Sequence, residues 1–121
     1  MNEEIKRLDE MQQVLDDYIN QFKQGYFSPL SQVAKLAEEV GELAREVNHS
    51  YGEIQKKASE PTNSVADELG DVLITTIIMA NALDIDLTEV FKKNMAKFNQ
   101  RDNYRFERKD DENNERMENN K

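Results

Sequence analysis

The sequence predicts an all-α fold: a four-helix bundle-like domain completed by oligomerisation. Three observations lead there. Apolar residues recur at three- and four-residue steps in four stretches, and no stretch has the two-residue alternation of a strand. Only four glycines and two prolines interrupt 121 residues, so long segments stay unbroken. The hydrophobic fraction is 37%, modest for a chain that must bury its own core, and a second copy is the simplest source of the missing surface.

The first helix is expected from about Asn2 to Gln24, carrying Ile5, Leu8, Met11, Leu15, Ile19 and Phe22, with Gly25 as its stop. Ser28 is a good N-cap and Pro29 suits a first helical turn, so a second helix starts there. It carries Leu30, Val33, Val40 and Val47 and ends near "NHSYG", with Gly52 past the stop. Residues 52–63 are polar and contain Pro61, and read as a loop with room for a short helical turn. Ser64 and Asp67 have the spacing of an N-terminal cap for a third helix running to about Leu83. Its later half is apolar on nearly every side, as befits a central helix or an oligomer contact. Asp86, with Glu89 three residues on, starts a fourth helix through Val90, Phe91, Met95 and Phe98 to about Tyr104. From Glu107 to Lys121 the one hydrophobic residue is Met117. The expected organisation is therefore one domain over 1–106 and a disordered acidic and polar tail over 107–121.

Composition removes several function classes. A formal net charge of −9 disfavours binding to nucleic acid or to an anionic membrane, both polyanions. With no cysteine there are no disulfides, thiolate metal sites or cysteine nucleophiles. "MNEEIKRLDE" is charged from the start, unlike a secretory signal, and the apolar run "VLITTIIMANAL" (72–83) is too short for a membrane span. A cytoplasmic protein is expected.

Two stretches match: "EEVGE" at 38–42 and "DELGD" at 67–71. Each helical residue turns the side chain by about 100°, so Glu38, Glu39 and Glu42 share one side of the second helix, extended by Glu46. Asp67, Glu68 and Asp71 share one side of the third. Like charges at i,i+4 cost about 0.2–0.5 kcal/mol per pair, and a packed cluster of anions costs more unless it is neutralised. Gly41 and Gly70 each lower helix propensity by about 1 kcal/mol relative to alanine, but allow close approach of a backbone or ligand. One reading is two solvated acidic faces. The other is two facing helices whose carboxylates surround a divalent cation. Oxygen ligands without cysteine suit a hard ion, Mg²⁺ first and Mn²⁺ next. The single histidine, His49, lies outside both motifs and reads as a helix-end residue, against iron or zinc.

Mg²⁺ commonly binds substrate phosphates together with a few carboxylates, which points to phosphate chemistry. Neither GxxxxGK[ST] nor GxGxxG is present. Lys93, Lys97, Arg101 and Arg105, spaced by four, form a basic stripe on the fourth helix. It is either a solvated face or the group that meets the phosphates. Tyr18, Phe22, Tyr26 and Phe27 are candidates for stacking on a base or for ordinary core and dimer packing.

"LAEEVGELAREV" followed by "ADELGDVL" resembles the MazG-type nucleotide pyrophosphohydrolases, whose signature is EExxE, a variable gap, then ExxD. The resemblance runs from about residue 10 to 105. "YFSP", "NHSYGE" and "QRDNYRF" are similar to its small YpjD-type branch. It implies the all-α NTP pyrophosphohydrolase fold, assembled as a homodimer or homotetramer. It also implies Mg²⁺-dependent cleavage of nucleoside triphosphates between the α and β phosphates; housecleaning of damaged or non-standard nucleotides and trimming of ordinary dNTP pools both fit such an activity. Glu39, Glu42, Glu68 and Asp71 would be metal ligands, with Glu38 beside them as support or as the base that activates water. Asn94, Lys97 and Arg101, with Lys93, would meet the substrate. The alternatives are a nucleotide-binding regulatory module with little activity, and a helical protein–protein adaptor.

Overall fold

The computed structural model describes residues 4–54 and 64–109. Among them are four α-helices and no strand: α1 (Leu8–Asn20), α2 (Pro29–Tyr51), α3 (Val65–Ala82) and α4 (Leu87–Asp102). The loop expected over 52–63 and the tail expected over 107–121 lie largely outside the described residues. The chain divides into two compact units, residues 1–88 and 89–121.

Helix starts follow the local capping chemistry. The Ser28 hydroxyl accepts from the Ser31 N–H, with Pro29 in the first turn of α2. Ser64 and Asp67 form a full capping box at α3: the Asp67 N–H donates to Ser64 Oγ and the Ser64 N–H to the Asp67 carboxylate. Asp86 accepts from the Thr88 N–H at the head of α4.

Helix ends depart more from expectation. α1 is shorter at both ends than the span Asn2–Gln24. It begins after Arg7, where Asp9 and Glu10 face the positive end of the helix dipole. It ends in tightened turns, Phe22 N–H to Ile19 O and Gly25 N–H to Phe22 O, with Gly25 at φ +62°. The end of α3 is a Schellman-type turn. Ile85 N–H bonds Ala80 O at 2.8 Å and Asp84 N–H bonds Asn81 O at 3.1 Å. Asp84 takes the left-handed conformation (φ 55°) that glycine usually fills, which is why the sequence carried no glycine signal there.

In the first unit α3 packs along α2 and also touches α1, so it is the central helix, as its apolar character predicts. Gln12 of α1 clasps the turn after α3. Its Nε2 donates to Asn81 Oδ1 (2.9 Å) and Ile85 O (2.8 Å), its Oε1 accepts from Leu87 N–H (3.0 Å), and Asn81 Nδ2 donates to Gln12 O (2.9 Å). Among the described residues the buried apolar side chains are those of Ile77 and Ala80, and of these Ile77 is fully buried. The buried polar residues Gln32, Glu39, Glu46, Glu68 and Thr75 outnumber them. No helix among the described residues is long and apolar enough to cross a membrane.

Candidate functional site

The seam between α2 and α3 brings acidic side chains together from both motifs. Glu39, Glu42 and Glu68 each offer a carboxylate oxygen, and these oxygens lie within 4.8 Å of one another. Glu39 and Glu68 are only 6% and 4% exposed; Glu42 is exposed. The acidic faces are therefore not simply solvated. One carboxylate of each motif is turned into the helix contact, where water cannot neutralise it.

Two oxygens mark the unmet need. Glu39 Oε2 and Glu68 Oε2 are buried without a hydrogen-bond partner. Burial pushes the Glu68 carboxyl above the ordinary carboxylate range, and the charges of Glu42, Asp71 and Glu39 push it further the same way. The other Glu39 oxygen, Oε1, accepts from Lys35 Nζ at 2.9 Å. That ion pair holds the lysine ammonium above its usual pKa, with Glu38 and Glu42 adding to the effect. A divalent cation fits this donor set. It is all oxygen, contributed by two helices, and two of its carboxylates each keep a buried oxygen without a hydrogen-bond partner.

The remaining expected site residues fall elsewhere. Asp71 is exposed and outside the converged trio, though its charge acts on Glu68. Glu38 is exposed, with Oε2 3.9 Å from Lys35 Nζ. Glu46, one turn past Glu42, is buried. His49 sits in the last turn of α2, outside the trio.

In the second unit Lys93, Asn94, Lys97 and Arg101 are exposed on α4. Arg105 falls beyond the last helical residue, Asp102, so the helical stripe is one residue shorter than the spacing predicts. Arg101 is engaged locally. Its Nε and Nη2 donate to the Asp102 carboxylate at 2.8 and 3.1 Å, and its guanidinium lies 4.6 Å from the Phe98 ring centroid. This fork lowers the Asp102 pKa.

The aromatic candidates divide. Tyr26 is part-buried and donates its hydroxyl to Asp16 Oδ1 at 2.5 Å. Tyr18 and Phe22 pack edge to face at 5.5 Å, and they and Phe27 are exposed in the single chain. Among the described residues, a Cβ on Gly41 or Gly70 would meet no atom within 4 Å, so the close approach those glycines allow is not made by the described part of the chain.

The sequence reasoning missed Lys35, because a lysine one turn before an acid motif reads as surface. A second concavity of about 350 Å³ lies between α1 and the turn after α3, lined by Asp9, Asp16, Asp84 and Asp86 with Gln12 and Asn81. Four aspartates make it repulsive to a phosphate chain.

Residues 27–106 match the MazG nucleotide pyrophosphohydrolase domain. The chain is 53% identical over 106 residues to the YpjD protein of Bacillus subtilis (strain 168), covering 88% of this chain and 96% of that protein. A crystal structure of YpjD from Bacillus subtilis superposes with a TM-score of 0.71 at 54% identity, covering 78% of this chain and 97% of that one. A crystal structure of the Bacillus-conserved MazG protein, a nucleotide pyrophosphohydrolase, superposes with a TM-score of 0.69 at 53% identity, over 79% of this chain and 93% of that one.

Proposed function

The chain belongs to the MazG nucleotide pyrophosphohydrolase family and is a hydrolase of that kind, and from that premise we propose that it cleaves (d)NTPs between the α and β phosphates, giving a nucleoside monophosphate and pyrophosphate with Mg²⁺ as cofactor. The observation that carries this reading is the convergence of the Glu39, Glu42 and Glu68 carboxylates across the α2–α3 seam, with Glu39 and Glu68 each keeping a buried oxygen, Oε2, that has no hydrogen-bond partner. Carboxylate charge held in such a place is costly unless something neutralises it, and a divalent cation does so for all three acids at once.

Glu39, Glu42 and Glu68 would hold the ion, with Asp71 joining from the next turn of α3. When bound, the ion would neutralise phosphate charge and acidify a water molecule. Glu38, exposed beside the trio, would accept the proton of the water that attacks the α-phosphorus in line. Lys97 and Arg101, with Lys93 and Asn94, would offset the charge of the departing pyrophosphate. Arg101 would exchange its fork on Asp102 for phosphate oxygens. Mn²⁺ is the natural substitute ion, since it prefers the same hard donors.

The same reading makes the working unit a homodimer or homotetramer. Along α2, Leu30, Val33, Ala37, Val40, Ala44, Val47 and Tyr51 recur at alternating steps of three and four, the spacing of a coiled-coil seam. All are exposed in the single chain. Removal of damaged or non-standard nucleotides from a cytoplasmic pool is the role that would suit such an enzyme.

The deciding experiment incubates the purified protein with each (d)NTP and Mg²⁺ and identifies the products. Pyrophosphate and monophosphate are expected; orthophosphate with a diphosphate would contradict the reading. Glu39→Gln and Asp71→Asn should each lower turnover by at least a hundredfold, on the scale of lost electrostatic catalysis, with the helical circular dichroism signal intact. Comparison of kcat/KM across bases and sugars then identifies the substrate class.

A further inference from the structure

Lys35 lies one turn before Glu39 on α2, outside the acidic signature. Its side chain is 59% exposed, yet its ammonium reaches a carboxylate that is only 8% exposed, at 2.9 Å. It also stands 3.9 Å from Glu38 Oε2. Helix energetics favour this pair only weakly, because lysine preceding glutamate by four residues is the weaker order against the helix dipole. The demand comes from the carboxylate side. Glu39 is buried next to Glu42 and Glu68, and its second oxygen has no partner.

Resting on the ion-binding reading above, we infer that Lys35 is a resident counter-ion of the acidic site: its ammonium supplies positive charge to the Glu39–Glu42–Glu68 trio when no divalent ion is there, and an entering ion must overcome that charge. Lys35 thereby sets the ion concentration at which the site loads. It is a positioning residue, acting through Glu39 and not on the reacting phosphate. Its bond to Oε1 leaves Oε2 without a hydrogen-bond partner. Its own charge opposes the ion, because two cations would then share one carboxylate.

Two effects of opposite sign follow from removing the charge. The ion-free fold loses a neutralising partner and becomes less stable, while the ion meets less repulsion and binds more tightly. An ordinary surface salt bridge would produce neither.

The test titrates full-length protein with MgCl₂ and with MnCl₂ by calorimetry at fixed ionic strength, without nucleotide. It compares wild type, Lys35→Gln, Lys35→Met (which keeps the apolar stem), Lys35→Arg and Arg7→Gln. The last removes one positive charge from an exposed pair on α1. Lys35→Gln and Lys35→Met are expected to bind the ion about tenfold more tightly. They should also melt at lower Tm in EDTA and gain more on adding Mn²⁺, while Lys35→Arg and Arg7→Gln stay close to wild type. Equal or weaker binding by both neutral variants, beside a wild type that binds, overturns the Lys35 inference alone. An equal gain in Arg7→Gln also overturns it, since net charge would then be the cause. If neither wild type nor the neutral variants bind either ion, the ion-binding reading itself falls and takes this one with it.

Discussion

Tyr26 shows how one side chain records its surroundings. Its hydroxyl donates to Asp16 in a part-buried contact, and burial first, then the Asp16 carboxylate, push its pKa up to about 12; a contact from Asn81 partly opposes them. The folded state therefore holds the phenol proton more tightly than the unfolded chain does. The resulting stability is complete below about pH 10, the ordinary tyrosine value, and is lost as pH rises toward about 12. Urea unfolding between pH 9 and 12 should show stability falling with pH in wild type, and a flatter profile in Tyr26→Phe. Equal slopes would mean that the phenol titrates as it does in water. The same logic, with the same sign, governs Glu68: burial first, then the neighbouring acidic charges, raise its pKa, so the fold favours the neutral carboxyl and its contribution to stability falls as pH rises.

At the scale of elements, the capped starts of α2, α3 and α4 were legible because a cap joins neighbours in sequence: Ser28 with Ser31, Ser64 with Asp67, Asp86 with Thr88. Ends were less so. α1 stops at Asn20 although Phe22 continues its apolar period, and α3 closes on an aspartate in a glycine conformation. Gly41 and Gly70 sit in mid-helix with open space where a side chain would project. If the single chain were the whole context, Gly41→Ala and Gly70→Ala would each stabilise by about 1 kcal/mol. If a second subunit or the nucleotide approaches either backbone, as the proposed function would have it, at least one of them lowers Tm or weakens nucleotide binding instead. Thermal melts with and without nucleotide decide it, and a rise in Tm for both with unchanged binding would remove any role for the glycines. Gly52 differs: a Cβ there would stand 2.6 Å from Asn48 O, so the end of α2 needs glycine within the chain itself.

For the molecule as a whole, the balance of burial is unusual. Ile77 and Ala80 are the buried apolar residues described, while Val33, Val40 and Val47 on α2 are 44%, 48% and 39% exposed, and Leu69 and Leu73 on α3 are exposed with them. Burying one large aliphatic side chain is worth roughly 1.5–3 kcal/mol, so an interface covering these residues would contribute more than the core seen in one chain. Sedimentation should therefore find a dimer or tetramer. Val33→Lys with Val47→Lys should shift it to monomer and lower Tm together, whereas a monomeric wild type of the same stability would refute the interface.

The residues by themselves determined the helical class, the caps and the two acidic motifs, because period, capping and motif spacing are properties of neighbours along the chain. Which carboxylates matter was only partly readable. The spacing placed Glu38, Glu39 and Glu42 on one side of a helix without distinguishing them. Tertiary packing alone decided that Glu39 and Glu68 turn inward while Glu38 and Asp71 stay exposed, and that Gln12 ties α1 to the turn after α3. The four-residue step from Lys35 to Glu39 made their contact readable along one helix, but that the carboxylate it meets is buried was not, because burial is set by which face of a helix a distant segment covers.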